Sequence, residues 1–436
     1  MSWQSTSSHR VILHIDGDAF FASCMQAVEP QYKGLPVVTG KERGIACAMS
    51  YEAKARGITR GMPIYQVRQV CPEAIVLPTD YETCSLFSKR MFAIMRRYSG
   101  TIEEYGIDEG FVDITGLRRV HNMSYQDIAD TIRQEIEQEL NITVSVGMAP
   151  TKVLAKIASN SNKPNGLTIV SPSHIPEFLK QMPVSAVWGI GKNTTQYMWQ
   201  LGIHTAQQFT EKPFSYIKEH FTKPHQEIWR ELKGEYVYPV LMEEKNSYAS
   251  ISKTRTFTPA SSNKDFVYAQ LLKNVENACI KSRQYNLVAK KIVIFLKTQD
   301  FQIRALEATL PRASAYPNDL APIVKELFDV LYNPKTLYRT TGITLSELAD
   351  HVQIQQSLFE PQHILEKMEG VYASIDTLAQ KFGKHTVHLG SSLPAHAFDA
   401  KEEKQQTETS WKKLLQLTGE TARMRLNIPM LALQLK

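Results

Sequence analysis

The stretch VILHIDGDAFFASCM, Val11 to Met25, decides how the rest of the chain is read. An apolar run ends in two aspartates one residue apart, Asp16 and Asp18, and Phe20 and Phe21 follow at once. RVILHID reads as a fully buried strand, and DAFFASCMQAV begins a helix directly after it. Asp16 therefore stands at the C-terminal tip of a buried strand.

Working outward, LPVVTG and GIACAMSYEAKARG are apolar runs separated by turn residues, so residues 31–75 read as a small mixed region. YETCSLFSKRMFAIMRRYS has helical spacing, with Leu86, Met91, Ile94 and Met95 on one face. TIEEYGIDEGFVDITG reads as two short strands around the acidic pair Asp108 and Glu109. SYQDIADTIRQEIEQEL is an amphipathic helix opened by a serine cap, and ITVSVGMA is another buried strand. These periods predict an α+β sheet domain over roughly the first 165 residues, with an inserted subregion.

From PVSAVWGIGKNTTQYMWQLGIHTAQQF onward the pattern is helical, with a Gly-x-Gly turn between two helices. Residues 235–248 read as a linker. The next stretch alternates strand, helix, strand, strand, helix, strand, which predicts a second α+β module. Between residues 245 and 345 there are fifteen Lys or Arg against seven Asp or Glu, an excess of eight positive charges. The whole chain of 436 residues carries only +6, at a pI near 8.8, so the remainder is slightly acidic. Such a module is either a grip on a phosphate backbone or an ordinary solvated surface. The last part holds one helix, HILEKMEGVYASIDTLAQKFG, and then polar, weakly patterned sequence.

Composition excludes several classes. The chain is 43% hydrophobic and 22% charged, an ordinary globular balance. Cys24, Cys47, Cys71, Cys84 and Cys279 are odd in number and lack metal-site spacing, which points to a reducing interior rather than a disulfide framework. The polar N-terminus MSWQSTSSHR lacks the apolar core of a signal peptide. No apolar run approaches the ~18 residues of a membrane span. The expectation is a soluble intracellular protein.

If the strand carrying Asp108 and Glu109 neighbours that of Asp16, three carboxylates converge on one sheet edge. Their mutual repulsion would cost several kcal/mol when buried. Hard divalent cations remove that cost, and Mg²⁺ leaves positions for substrate phosphates. Two ions can clamp the attacking and leaving oxygens of a phosphoryl displacement. The structural alternative is that Asp16 caps the following helix and the Asp-Glu pair forms a hairpin turn.

HIDGDAFFASCMQ, AMSYEAKARGI, YGIDEGFVDITG and TKVLAKIASNSNKPNGL together resemble the palm and fingers motifs of Y-family DNA polymerases, close to the DNA polymerase IV and V type. VWGIGKNTTQYMWQLGIHT is similar to that family's thumb, and the basic module matches its little finger in place and element order. The resemblance runs to about residue 390. It implies an α+β, multidomain right-hand fold: palm over 9–30 and 76–168, fingers over 31–75, a helix-hairpin-helix thumb over 169–238, a little finger over 246–350, and a tail over 351–436.

By the same resemblance Asp16, Asp108 and Glu109 are catalytic and bind two Mg²⁺, for which Mn²⁺ can substitute, with Gly17 supplying a carbonyl. Phe20, Phe21, Tyr51, Lys54 and Lys156 border the incoming dNTP. Phe21 is the steric gate against a 2′-hydroxyl, while Phe20 packs toward the palm core. Gly189, Gly191 and Lys192 of the thumb turn, with Lys253 and Arg255 of the basic module, contact primer–template DNA. Gln355, Leu358 and Phe359 of QQSLF resemble a peptide that docks on the sliding clamp, with LALQLK a weaker competitor. Many relatives carry Arg at Lys54 and a bulkier residue at Gly17.

The function implied is low-fidelity, translesion DNA synthesis by a cytoplasmic, nucleoid-associated monomer. Fingers of 45 residues offer little surface with which to check a nascent base pair, and the remaining length leaves no room for a proofreading domain. A nucleotide cyclase on a palm-like sheet would need neither Phe21 as a gate nor the basic module. A non-catalytic DNA- and clamp-binding scaffold would not need three intact carboxylates.

Overall fold

A computed structural model of the chain describes residues 10–242, 248–350 and 362–398, and divides it into two units, Met1–Glu243 and Glu244–Lys436. In the first unit the strands are β1 (Ile12–Gly17), β2 (Val37–Thr39), β3 (Ala48–Met49), β4 (Ile75–Leu77), β5 (Ile102–Glu103), β6 (Glu109–Asp113), β7 (Val144–Ala149) and β8 (Leu167–Ile169). Five of them form one sheet in the order β5-β6-β1-β7-β8. β1 is the middle strand, flanked antiparallel by β6 and β7, and it is buried along its length except at Asp16.

The helix Lys152–Ser161 returns the chain from β7 to its parallel neighbour β8 and packs on β7 and β1. Gly147 makes that approach possible: a Cβ there would lie 2.0 Å from the Ala155 carbonyl oxygen. The helices Tyr81–Arg96 and Tyr125–Leu140 pack on each other, and each opens on a side-chain cap, Asp80 and Ser124. Ser124 and Asp127 complete a capping box.

The region read as fingers holds a separate sheet, β3-β2-β4, with its own small core around Val38, Ala53, Ile58 and Val67. The helices Ile175–Gln181, Lys192–Gln200, Ala206–Glu211, Phe214–His220 and Lys223–Leu232 share a core with the helix Lys152–Ser161.

The second unit contains β9 (Ser250–Ser261), β10 (Leu287–Thr298), β11 (Ile303–Ser314) and β12 (Tyr338–Asp350), ordered β11-β10-β12-β9 and antiparallel throughout. The helices Lys264–Gln284 and Pro317–Leu331 bury Leu271, Val275, Val324 and Phe328 against the sheet residues Ile251, Ile294 and Ile343. This is the element order expected from sequence. Beyond it the structure adds something the sequence pattern did not show. The helix Gln362–Phe382 is anchored by Asp376, which accepts from Arg283 Nη2 and Nε at 2.6 and 2.7 Å, and Leu389 and Phe398 pack against the second unit's core. Residues 362–398, assigned to a tail by sequence, thus belong to this folded unit. Among the described residues no helix is long and apolar enough to cross a membrane.

Candidate active site

Asp16 and Glu109 are direct Cα partners across β1 and β6, and Asp108 stands in the bend that opens β6, where its carbonyl accepts from the Gly17 N–H at 2.8 Å. The sheet therefore brings the three carboxylates to one edge. Side chains two apart on a strand share a face, so His14 lies beside Asp16. Its Nε2 is 3.2 Å from Glu109 Oε2 and its Nδ1 is 2.7 Å from Ser159 Oγ. A neutral ring satisfies both contacts when Nε2 carries the proton, and burial lowers the His14 pKa.

Two lysines meet this edge, Lys156 from the helix Lys152–Ser161 and Lys163 from the segment just after it. Lys156 donates to Glu109, and Lys163 donates to Asp16 Oδ1 at 2.5 Å. Burial alone would raise the Glu109 pKa, but the bonds from His14 and Lys156 outweigh it and hold the carboxyl at about 2. Asp108 is raised, by burial first and then by the Asp16 charge. Two carboxylates are thus neutralised by lysines and the third is destabilised by its neighbours. Asp16 and Glu109 bring carboxylate oxygens within 4.8 Å of each other, and Asp108 feels the charge of both. Hard oxygen donors of this kind fit Mg²⁺.

Asp16 is not a helix cap. The helix Phe20–Val28 begins at Ala19, which has φ of 48° and no side-chain cap. Asp18 is spent on structure: it is 1% exposed, and its oxygens accept from Ser145 Oγ at 2.8 Å and the Asn165 N–H at 2.7 Å. Phe20 is buried, while Phe21 is half-exposed, edge-on to Phe20 at 5.9 Å and to Tyr81 at 5.4 Å. One ring is thus core and the other is held between two aromatic supports.

The short helix Tyr51–Ala55, capped by Ser50, faces the same edge. The Lys54 ammonium lies 4.2 Å from the Tyr51 ring centroid. Burial, with the charges of Asp18 and Asp16, pushes Tyr51 up to about 12, and burial together with Lys163 lowers Lys54. Tyr51, Lys54 and Lys163 therefore gather beside the carboxylates, a cationic setting suited to phosphoryl oxygens.

Residues 15–160 match the impB/mucB/samB family, and residues 248–358 match that family's C-terminal domain. The chain is 30% identical over 410 residues to DNA polymerase IV 1 of Bacillus subtilis (strain 168), covering 93% of this chain and 97% of that protein. The chain belongs to the Y family of DNA polymerases. It is also 32% identical over 356 residues to DNA polymerase IV of Xanthomonas campestris pv. campestris (strain 8004), covering 80% of this chain and 98% of that one. A solved Y-family DNA polymerase chimera of Dbh and Dpo4 matches with a TM-score of 0.65 and 25% identity, over 77% of this chain and 98% of that one. An insertion ternary complex of Dbh DNA polymerase matches at 0.51 and 26%, with the same coverage. The protein is a DNA-directed DNA polymerase with the palm, fingers, thumb and little-finger layout.

In this polymerase the thumb turn uses its two glycines differently. Gly189 has φ of +89°, and a Cβ there would meet Ile228 Cδ1 at 2.6 Å. Gly191 is an open N-cap for the helix Lys192–Gln200, and Lys192 is exposed. A shallow groove lined by Ser185, Ile190, Lys192, Thr195, Gln196 and Trp199 adjoins the turn.

In the little finger, Lys253 and Arg255 lie on edge strand β9, with the parity of buried Ile251 and Phe257, at the rim of the helix-covered face. The opposite sheet face presents Ser252, Thr254, Thr256 and Thr344, with cross-strand hydroxyl pairs at 2.9 Å (Thr256–Thr340) and 3.1 Å (Thr344–Ser252). Gln355, Leu358 and Phe359, like LALQLK, lie outside the described residues.

Sequence reasoning missed His14, Ser159, Lys163 and Tyr81. The signal for two of them was available. His14 is two residues before Asp16 in a strand, and Ser159 follows Lys156 at i+3 on one helix face, whereas Lys163 lies past the helix end at Ser161. Trp188 was also missed as a palm contact: its ring meets Tyr105 at 5.3 Å, and Lys156 sits over both rings.

Proposed function

We propose that this polymerase performs low-fidelity translesion synthesis by nucleotidyl transfer at the edge of the five-stranded sheet, with Asp16, Asp108 and Glu109 as catalytic ligands of two Mg²⁺ and the Gly17 carbonyl as a further ligand. The observation that carries the reading is the pairing of Asp16 with Glu109, which gathers carboxylate charge on one edge beside Lys163, Lys54 and Tyr51. Bound Mg²⁺ supplies charge neutralisation for the phosphoryl oxygens and activates the primer hydroxyl.

The chain's own residues do the rest. Glu109, kept ionised by His14 and Lys156, is always ready as a ligand. Lys54, Lys163 and Tyr51 orient the triphosphate of the dNTP, and Lys156 reaches it once it is freed from Glu109. Phe21, held by Phe20 and Tyr81, excludes a 2′-hydroxyl. Gly189, Gly191 and Lys192 meet the backbone of primer–template DNA, as do Lys253 and Arg255. Low fidelity follows from the small fingers sheet, which has little surface to test base-pair shape. Gln355, Leu358 and Phe359 tether the protein, a cytoplasmic, nucleoid-associated monomer, to a sliding clamp.

The deciding experiment is primer extension with Mg²⁺ by Asp108→Ala and Glu109→Ala. Both variants should lose extension and keep primer–template affinity. Near-parental extension by both would overturn the assignment.

A further inference from the structure

Glu276 lies within the helix Lys264–Gln284 of the second unit and is 4% exposed. Its carboxylate is oriented from one side: Oε1 accepts from the Leu389 N–H at 2.6 Å and from Ser392 Oγ at 3.1 Å. That leaves Oε2 facing two histidines, His385 Nδ1 at 3.5 Å and His396 Nε2 at 3.3 Å. The three ligand atoms all lie within 4.8 Å of one another, and the His385 and His396 ring centroids are 4.6 Å apart. None of these residues belongs to the polymerase site.

The hydrogen bonds around the cluster fix its protons. Asn277 Nδ2 donates to the Lys273 carbonyl at 2.9 Å, which turns Asn277 Oδ1 toward His385 Nε2 at 3.1 Å. Nε2 must therefore carry a hydrogen, and in the neutral ring Nδ1 is a bare lone pair. That lone pair points at a carboxylate oxygen, two acceptors face to face. Something positive belongs between them.

We propose that Glu276, His385 and His396 form a Zn²⁺ site that clasps the segment after the helix Gln362–Phe382 onto the helix Lys264–Gln284. The donor set is two imidazoles and one carboxylate, which suits Zn²⁺ in a tetrahedral site with water in the fourth position. The spacing suits it too. Ligand atoms about 2.0–2.2 Å from a tetrahedral ion lie roughly 3.4 Å from each other, the separation Oε2 already keeps from both nitrogens. The outer contacts follow the same logic, since Asn277 fixes the His385 tautomer and Leu389 with Ser392 fixes the carboxylate. His385 also holds φ of 63°, a backbone conformation that aims its ring and is uncommon outside glycine and asparagine.

The test uses the full-length chain, stripped with chelator, given Zn²⁺, and gel-filtered in excess Mg²⁺ so that the catalytic carboxylates do not report. One zinc per chain should remain. Asp108→Ala should retain it, while His385→Ala and His396→Ala should each lose affinity by about 100-fold or more. Co²⁺ given to the stripped parent should produce the intense visible bands of a tetrahedral ion, a readout that needs no variant to fold. Absence of retained zinc in the parent would overturn the site, as would absence of the tetrahedral Co²⁺ bands. Parental zinc retention by the His385→Ala, His396→Ala double variant would also overturn it, and so would loss of zinc in Asp108→Ala.

Discussion

His14 and Glu109 meet across neighbouring strands, the imidazole Nε2 3.2 Å from the carboxylate Oε2, with Ser159 holding the far side of the ring. A buried histidine thus fixes the angle of a carboxylate that is itself partly exposed. His14→Phe keeps an aromatic ring and removes both bonds, and the Ser159 hydroxyl, released from Nδ1, turns its hydrogen to the Lys156 carbonyl at 2.9 Å. Single-turnover nucleotide insertion should fall by about 10- to 100-fold, with a raised Mg²⁺ requirement and unchanged primer–template affinity. Equal Mg²⁺ dependence in parent and variant would show that His14 only packs.

The Phe21 ring is buttressed by Tyr81 at 5.4 Å in an edge contact. Phe21→Ala should raise rNTP incorporation by about 100-fold or more relative to dNTP, because rejection here is a steric clash rather than a lost contact. Tyr81→Ala should raise it less, since the gate stays but its support goes. Competitive insertion of matched rNTP and dNTP measures both. If rejection of rNTPs survives in Phe21→Ala, the gate lies at another residue.

Glu231, fully buried, ties the thumb to the palm. It accepts from the N–H groups of Val237 and Tyr238 at 2.7 and 2.8 Å, and from that of Val153 at 3.2 Å. Glu231→Ala strands three buried donors and should cost about 3 kcal/mol or more. Burial raises the Glu231 pKa above its ordinary 4.5. Its contribution is then fully present below pH 4.5 and declines as pH rises through the folded value, so the gap between parent and variant should narrow toward neutral pH. Denaturant melts at pH 4.5 and pH 7.5 check the sign.

Lys253 and Arg255 occupy an edge strand where burial, Lys281 and Lys384 lower the Lys253 pKa. Phosphate contact would relieve that crowding. The double variant Lys253→Ala, Arg255→Ala should weaken primer–template binding and reduce the slope of log affinity against log salt by about 2. An unchanged slope would move the contact to the hydroxyl-lined sheet face.

Ala19 opens the helix Phe20–Val28 at φ of 48°, a conformation that costs a side-chain-bearing residue about 1 kcal/mol. Ala19→Gly should raise stability by roughly 0.5–1 kcal/mol, read from the shift of a urea midpoint. A loss of stability would show that the strain is already relieved by packing.

The sequence by itself determined the elements and the residue types. The run of β1, apolar up to Asp16 but for His14, predicts a strand covered on both faces, and the order of strands and helices after residue 250 predicts the second sheet. These are local properties, written in period and composition. It also placed Asp16, Asp108 and Glu109 at strand ends. What it left open was whether those ends meet, because strand order and register depend on contacts between residues about 90 apart in the chain. The pairing of Asp16 with Glu109 closed that question in favour of a shared edge and removed the helix-cap alternative. Tertiary structure alone put Lys163 on Asp16, Lys156 on Glu109 and Tyr81 beside Phe21. It alone brought Glu276 to two histidines more than a hundred residues later. A charged side chain carries no periodic mark of its partner. Its partner is set by which backbones approach closely enough, as Gly147 allows for the helix Lys152–Ser161, and that approach exists only once the sheet has formed.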